Sequence, residues 1–190
     1  VDCEWAGQTI IDGFLRTIQI SWAPGKVIVP IFVDEHGTAT ELQKKSEKAW
    51  DTLRRLFEHE RTRLIGHFIR ADLPWLHKYG VALEENVTRG WDTGLAGHLL
   101  DENWKQALEV YTLRYTNMGR YDSKVKQWIK ENKADVEANG FQHVPSDILL
   151  PYAAADADTT FRIFVQQYAE MRQEDNKDIF NLFETIAMPA

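Results

Sequence analysis

The chain begins Val1-Asp2-Cys3-Glu4-Trp5. Carboxylates are poor strand formers, yet Val1, Cys3 and Trp5 give this run the apolar alternation of a strand. Alternate strand residues share a face, so Asp2 and Glu4 point the same way. Two like charges so placed repel each other unless a cation lies between them. The plain alternative is an exposed edge strand with a polar face. The chemical reading is half of a metal site, and it requires ligands from elsewhere in the chain. Asp72 is one such candidate, in "GHFIRADLPWL" at the start of a helix that follows a strand, where aspartate also serves as a cap. Tyr152 and Asp156 of "PYAAADADTTF" are another pair, one turn apart on one helical face. An aspartate early in a helix also complements the helix dipole, which is the plain reading of Asp156. Asp158 falls on a different face, and Ala153, Ala154 and Ala155 keep that turn slim for close approach.

These acids need a frame that brings distant segments together. Arg16–Trp22 and Lys26–Phe32 are β-rich runs split by Ala-Pro-Gly, a hairpin signal. With Val1–Trp5 they make three strands at the start of a sheet. Thr40–Glu60 has Leu42, Trp50, Leu53, Leu56 and Phe57 at helical spacing. Arg63–His67 reads as a short buried strand, followed by a helix through "ADLPWLHKYG" that Gly80 closes. "VTRGWDT" is a further short strand leading into a helix through "GLAGHLLDE". Residues 105–140 are helical and polar, with "KVKQWIKENKADVEANG" as the clearest stretch. After a loop through "FQHVPSDI", a long helix runs from Ile148 to Gln173, capped by Ser146 or Asp147. Strands first, then alternating strands and helices, indicate an α/β fold with a mixed sheet.

The bulk composition fits one domain. The 190 residues are 44% hydrophobic and 27% charged, with seven Trp, which is globular rather than disordered. There is no apolar run long enough for a membrane span and no visible secretory signal. The single Cys3 excludes an internal disulfide framework and a multi-cysteine zinc site. A net charge of −7 argues against nonspecific coating of nucleic acid. It is compatible with a cleft that holds cations and uses them to receive phosphates. The six His lack metal-ligand spacing and read as surface or satisfied polar residues.

Together the acids and the tyrosine form D-x-E … D … Y-x-x-x-D across three distant segments. This resembles the DEDD exonuclease superfamily, in the variant with tyrosine in the last motif (DEDDy). Pro151 stands where the histidine variant would carry its histidine. "LIGHFIRADLPWL" is similar to the second motif and "WDTGLAGHLLDE" to the segment after it. "LEVYTLRYTNMGRYDSKVKQW" and "VPSDILLPYAAADADTTFRIF" resemble the proofreading domain of family A, phage-type DNA polymerases. "FETIAMPA" resembles the junction at which such a polymerase continues. The resemblance implies a ribonuclease H-like, DnaQ-like fold, a central mixed sheet flanked by helices. Residues 1–190 would be a single 3′–5′ exonuclease domain, a fragment or relative of a longer polymerase.

The implied activity is removal of nucleotides from DNA 3′ ends in proofreading, with two Mg²⁺ or Mn²⁺ ions as cofactors. Such ions lie about 3.5–4 Å apart and serve nucleophile, leaving oxygen and phosphoryl charge together. By resemblance Asp2, Glu4 and Asp156 hold the ion carrying the attacking water, and Asp2 bridges to the second. Asp72 supports that second ion through water. Tyr152 orients the water, since a phenol with pKa near 10 is a weak base. Two positions depart from the family: Phe68 replaces an asparagine, and Ala71 replaces an aromatic residue. Phe68, Trp5 and Trp75 are candidate stacking surfaces for a frayed end, with core packing the alternative for the tryptophans. Arg120, Lys124 and Lys126 are candidate phosphate contacts, with a solvated helix face the alternative. Implied partners are single-stranded DNA or a frayed duplex 3′ end and a polymerase domain in cis or trans, with no membrane. The implied location is the cytoplasm of a bacterium or phage-infected cell, or an organelle. Two rival readings are a ribonuclease D-like RNA exonuclease, because "VDCEW" and "IQISW" recur there, and a non-catalytic single-strand binder.

Overall fold

The computed structural model describes residues 1–44, 46–82 and 90–188. Strand β1 (Asp2–Ala6) pairs antiparallel with β2 (Phe14–Ala23), which pairs antiparallel with β3 (Lys26–Ile28). The expected third strand ran to Phe32, but its ladder stops at Ile28. Pro30 has no N–H to give, so only its carbonyl joins, accepting from Ile18 N at 3.2 Å. A second, parallel pair joins β4 (Ile65–Gly66) to β5 (Trp91–Asp92). The expected strand from Val87 shows here as β5 alone, because residues 87–89 lie outside the described residues. Val1 N donates to Ile65 O at 2.5 Å, so β1 starts beside β4. The arrangement is mixed α/β, as the sequence predicts.

The expected helix over Thr40–Glu60 is present as α1 (Glu41–Lys44) and α2 (Ser46–Phe57). Trp50, Leu53 and Phe57 of α2 share a buried core with Val1, with Cys3 of β1 and with Trp75 and Leu76 of α3 (Leu73–Lys78). Burial of side chains this large contributes on the order of 2 kcal/mol each. This core takes the odd-numbered face of β1 and leaves Asp2 and Glu4 on the other. Helices α4 (Thr93–Leu100), α5 (Leu108–Tyr115), α6 (Ser123–Glu131) and α7 (Lys133–Asn139) follow. The Lys124–Gly140 stretch breaks at Asn132, whose Nδ2 donates to Trp128 O at 2.9 Å, a bond that competes with helix continuation.

The long helix α8 (Ser146–Met171) begins and ends two residues before the expected Ile148–Gln173. Neither Ser146 nor Asp147 caps it, because both lie inside its first turn after Pro145. Ser146 Oγ instead donates to Glu35. Ala153 and Ala157 are fully buried where α8 packs on β2 and β1. Of the alanine run only Ala153 is buried there; Ala154 and Ala155 are half-buried. Trp91, Met171 and Phe183 form a second core where α8 meets α9 (Lys177–Leu182) and the turn after it. Among the described residues no helix is long and apolar enough to cross a membrane.

An irregularity in the first hairpin positions the start of α8. Glu4 pairs with Thr17 and Trp5 with Leu15, so Arg16 is an extra residue bulged out of β2. Its side chain is 1% exposed and donates through Nη1 to Phe141 O at 2.6 Å and Val144 O at 2.8 Å. These bonds hold the loop between α7 and α8. The same loop is fastened to β1, with Phe141 N donating to Trp5 O at 3.1 Å and Gly7 N to Asn139 O at 2.8 Å. Gly140 sits at φ 61°, and a Cβ there would meet Gly7 O at 2.9 Å, so both backbone and space require glycine.

Candidate active site

Three elements converge on one wall of the molecule. β1 carries Asp2 and Glu4, α8 carries Tyr152 and Asp156, and the turn before α3 carries Asp72. Ligand oxygens of Asp2, Glu4 and Asp156 all lie within 4.8 Å of one another. Asp72 and Tyr152 line the same cavity of about 300 Å³, together with Trp5 and Phe141. All five residues singled out by type and spacing therefore meet.

Asp72 heads α3 without capping it. Its Oδ1 accepts from Cys3 N at 3.0 Å, a contact across 69 residues of sequence that fixes the third acid beside the first two. The turn that delivers Asp72 is set by Asp92. That carboxylate accepts from Gly94 N at 2.9 Å and Leu95 N at 3.1 Å, capping α4. It also accepts from Phe68 N at 3.1 Å and Ile69 N at 3.0 Å. Phe68 is held at φ 52°, a left-handed conformation that costs a non-glycine residue about 1 kcal/mol. The bonds to Asp92 offset that cost.

Burial, and then mutual repulsion with Asp72 and Asp156, raises the Asp2 carboxyl well above the ordinary carboxylate range. Glu4 is raised likewise by burial and by Asp2 and Asp156, against a lowering pull from Arg16. Burial pushes Asp72 up to about 7. Burial also raises Asp156 to about 6, opposed by hydrogen bonds from Tyr121 and Tyr152. Burial, then the charges of Asp156 and Glu4, raises Tyr152 too, so its phenol remains a proton donor. Asp2 Oδ2 is buried and, among the described residues, has no hydrogen-bond partner. Clustered carboxylate oxygens, one of them unsatisfied, are the donor set of a hard divalent cation.

The candidate substrate contacts divide. Trp5 is half-buried on the cavity wall and stacks on Trp75, with ring centroids 5.2 Å apart. Trp5 also packs against the first core, so it stands between the core and the cavity. Trp75 itself is 5% exposed and belongs to the core, so it is a support for Trp5 and not a stacking surface. Phe68 is 45% exposed, packs edge-on to His67 and covers Gly94. Arg120 and Lys124 are exposed on the α5–α6 connection and on α6, and neither lines the acids' cavity. Lys126 is engaged by Glu109 and by Asp122.

Sequence reasoning missed two residues. His67, set aside as a surface or satisfied group, lines the cavity, with Nδ1 2.9 Å from Thr93 Oγ1. Tyr121 donates its hydroxyl to Asp156 Oδ1. A lone tyrosine in a polar connection carries no spacing signal that would have found it.

The family profile described as "3'-5' exonuclease" matches residues 1–169. The DNA polymerase of Escherichia phage T5 is 25% identical over 197 aligned residues, covering 99% of this chain and 22% of that protein. DNA polymerase I of Treponema pallidum is 29% identical over 160 residues, 82% of this chain and 15% of the relative. The DNA polymerase of Bacillus phage SP01 is 32% identical over 141 residues, 72% of this chain and 14% of the relative. The chain thus spans less than a quarter of the length of each relative.

Proposed function

The chain belongs to the 3′-5′ exonuclease family, and from that premise we propose that it trims DNA 3′ ends in proofreading, using two divalent metal ions. The observation that carries the reading is the cluster of Asp2, Glu4 and Asp156 oxygens within 4.8 Å, with Asp2 Oδ2 buried and unsatisfied. The DNA polymerases it resembles support DNA as the substrate and a polymerase domain as the partner. Those relatives come from phages and a bacterium, which supports a bacterial or phage-infected cytoplasm. Antiparallel β2 on one side of β1 and the Ile65 carbonyl on its other support a ribonuclease H-like sheet.

Asp2, Glu4 and Asp156 would bind the first ion and Asp72 would support the second. When bound, Mg²⁺ or Mn²⁺ lowers the pKa of water and neutralises charge growing on the phosphoryl group. The rest of the work falls to the chain. Tyr152 keeps its proton and orients the attacking water by a hydrogen bond. Trp5, braced by Trp75, offers a flat apolar surface at the cavity wall to the terminal base. Phe68 offers an exposed ring near the second motif, and Arg120 and Lys124 offer charge to phosphates further along the strand.

The test is a 5′-labelled single-stranded DNA and its RNA counterpart, each incubated with Mg²⁺ or with EDTA. A one-nucleotide ladder from the DNA 3′ end that EDTA abolishes is the expected result. A ladder on RNA alone would overturn the substrate, and an EDTA-resistant ladder would overturn the metal chemistry.

A further inference from the structure

Asp156 is faced from two sides. Tyr152 stands one turn earlier on α8 and lines the same cavity. Tyr121 reaches it from the connection between α5 and α6, donating to Oδ1. The two rings stand 6.4 Å apart with planes tilted by 35°, bracketing the carboxylate. Tyr121 also lines a second cleft of about 370 Å³, which meets the first at Tyr152 and Asp156.

A carboxylate on an α-helix can turn about its last torsion unless something holds one oxygen. A metal ligand that turns freely loses affinity through disorder, and groups around a ligand that hold it still are worth as much as tenfold or more. Tyr152 cannot hold Asp156 and also orient the water throughout a reaction cycle, since its phenol has one proton to give. We propose that Tyr121 is the positioning residue for Asp156: it fixes the carboxylate for metal binding and leaves the Tyr152 proton free for the water. The proposal rests on the metal-site reading given above.

The experiment is Mn²⁺ titration of the intact protein by calorimetry, comparing wild type, Tyr121→Phe, Tyr152→Phe and Asp156→Ala. The Tyr121→Phe change removes one oxygen and keeps the ring, so the thermal midpoint of the metal-free protein should hardly move. Its apparent Mn²⁺ dissociation constant should rise about tenfold, with kcat recovering at saturating Mn²⁺. Tyr152→Phe should show the converse, near-normal Mn²⁺ affinity with kcat depressed at saturation. Wild-type Mn²⁺ affinity in Tyr121→Phe, or a kcat that saturating metal does not recover, would overturn the role of Tyr121 alone. No Mn²⁺ binding by wild type would overturn the metal site, and Tyr121's role with it.

Discussion

Two sets of carboxylates hold similar places in the fold and live by different rules. Asp92 and Asp158 are satisfied. Asp92 accepts four backbone N–H groups, and Asp158 accepts from Gly25 N at 2.6 Å and Arg162 Nε at 3.0 Å. Asp2, Glu4, Asp72 and Asp156 are gathered against one another around a shared cavity, with an oxygen of Asp2 left bare. Asp156 and Asp158 are two residues apart on one helix, and Asp72 and Asp92 both stand at the head of a helix. Position in the element does not separate them; partners do. The satisfied set is held by partners within the fold, while burial and mutual repulsion raise the Asp2 and Glu4 carboxyls of the clustered set.

The sharpest way to break this comparison is to exchange the roles of the neighbours on α8. Asp156→Ala should lower single-turnover cleavage by about 10³-fold, on the order of 4 kcal/mol, with the metal-free protein at least as resistant to urea as wild type. Asp158→Ala should do the opposite, losing stability and keeping most of its cleavage rate. Turnover by a folded Asp156→Ala protein at the wild-type rate would end the assignment.

Acidity tests the same contrast without mutation. Burial holds the folded-state values of Asp156 and Asp72 at about 6 and about 7, above those of the unfolded chain. The folded, metal-free protein therefore binds more protons, and its stability falls as pH rises through that range. The loss between pH 5 and pH 8 should be on the order of 3 kcal/mol, and saturating Mn²⁺ at pH 8 should restore it. Urea midpoints that rise with pH in EDTA would contradict the clustering.

Asp92→Ala isolates the structural set. Four N–H groups lose their acceptor, and Phe68 loses what holds it left-handed. A destabilisation of about 2 kcal/mol is expected. A urea midpoint within error of wild type would show that the cap is dispensable. The smallest effect belongs to Tyr152→Phe. Cleavage should slow about tenfold, about 1.4 kcal/mol, and an unchanged single-turnover rate would remove its orienting role.

The gathering of the acids was the most legible part of the sequence. Strand alternation placed Asp2 and Glu4 together, and helical spacing did the same for Tyr152 and Asp156, because both rules are local. What was lost depends on partners that local rules do not see. Asp72 reads as a cap, and only Cys3, distant in sequence, shows where its oxygen goes. Trp5 and Trp75 look alike as stacking surfaces, but Trp5 lines the cavity while Trp75 is buried in the core. The first hairpin also carries a bulge at Arg16. "RTIQISW" carries no mark of that bulge. The break at Asn132 and the shortened β3 were similarly invisible to periodicity, although Pro30 was a signal passed over.

The bulged Arg16 also has a temporal meaning. It is a knot between the first hairpin and a loop 125 residues later, tied by the hydrogen bond from Arg16 Nη1 to Phe141 O. A ribosome delivers the hairpin long before it delivers that loop and α8, and contacts so far apart in sequence form late. The two acids of β1 therefore wait, unpaired with Asp156, through most of synthesis. A half-made chain carries the hairpin without Tyr152 and Asp156, so the acids' cavity is complete only once α8 has been made and packed.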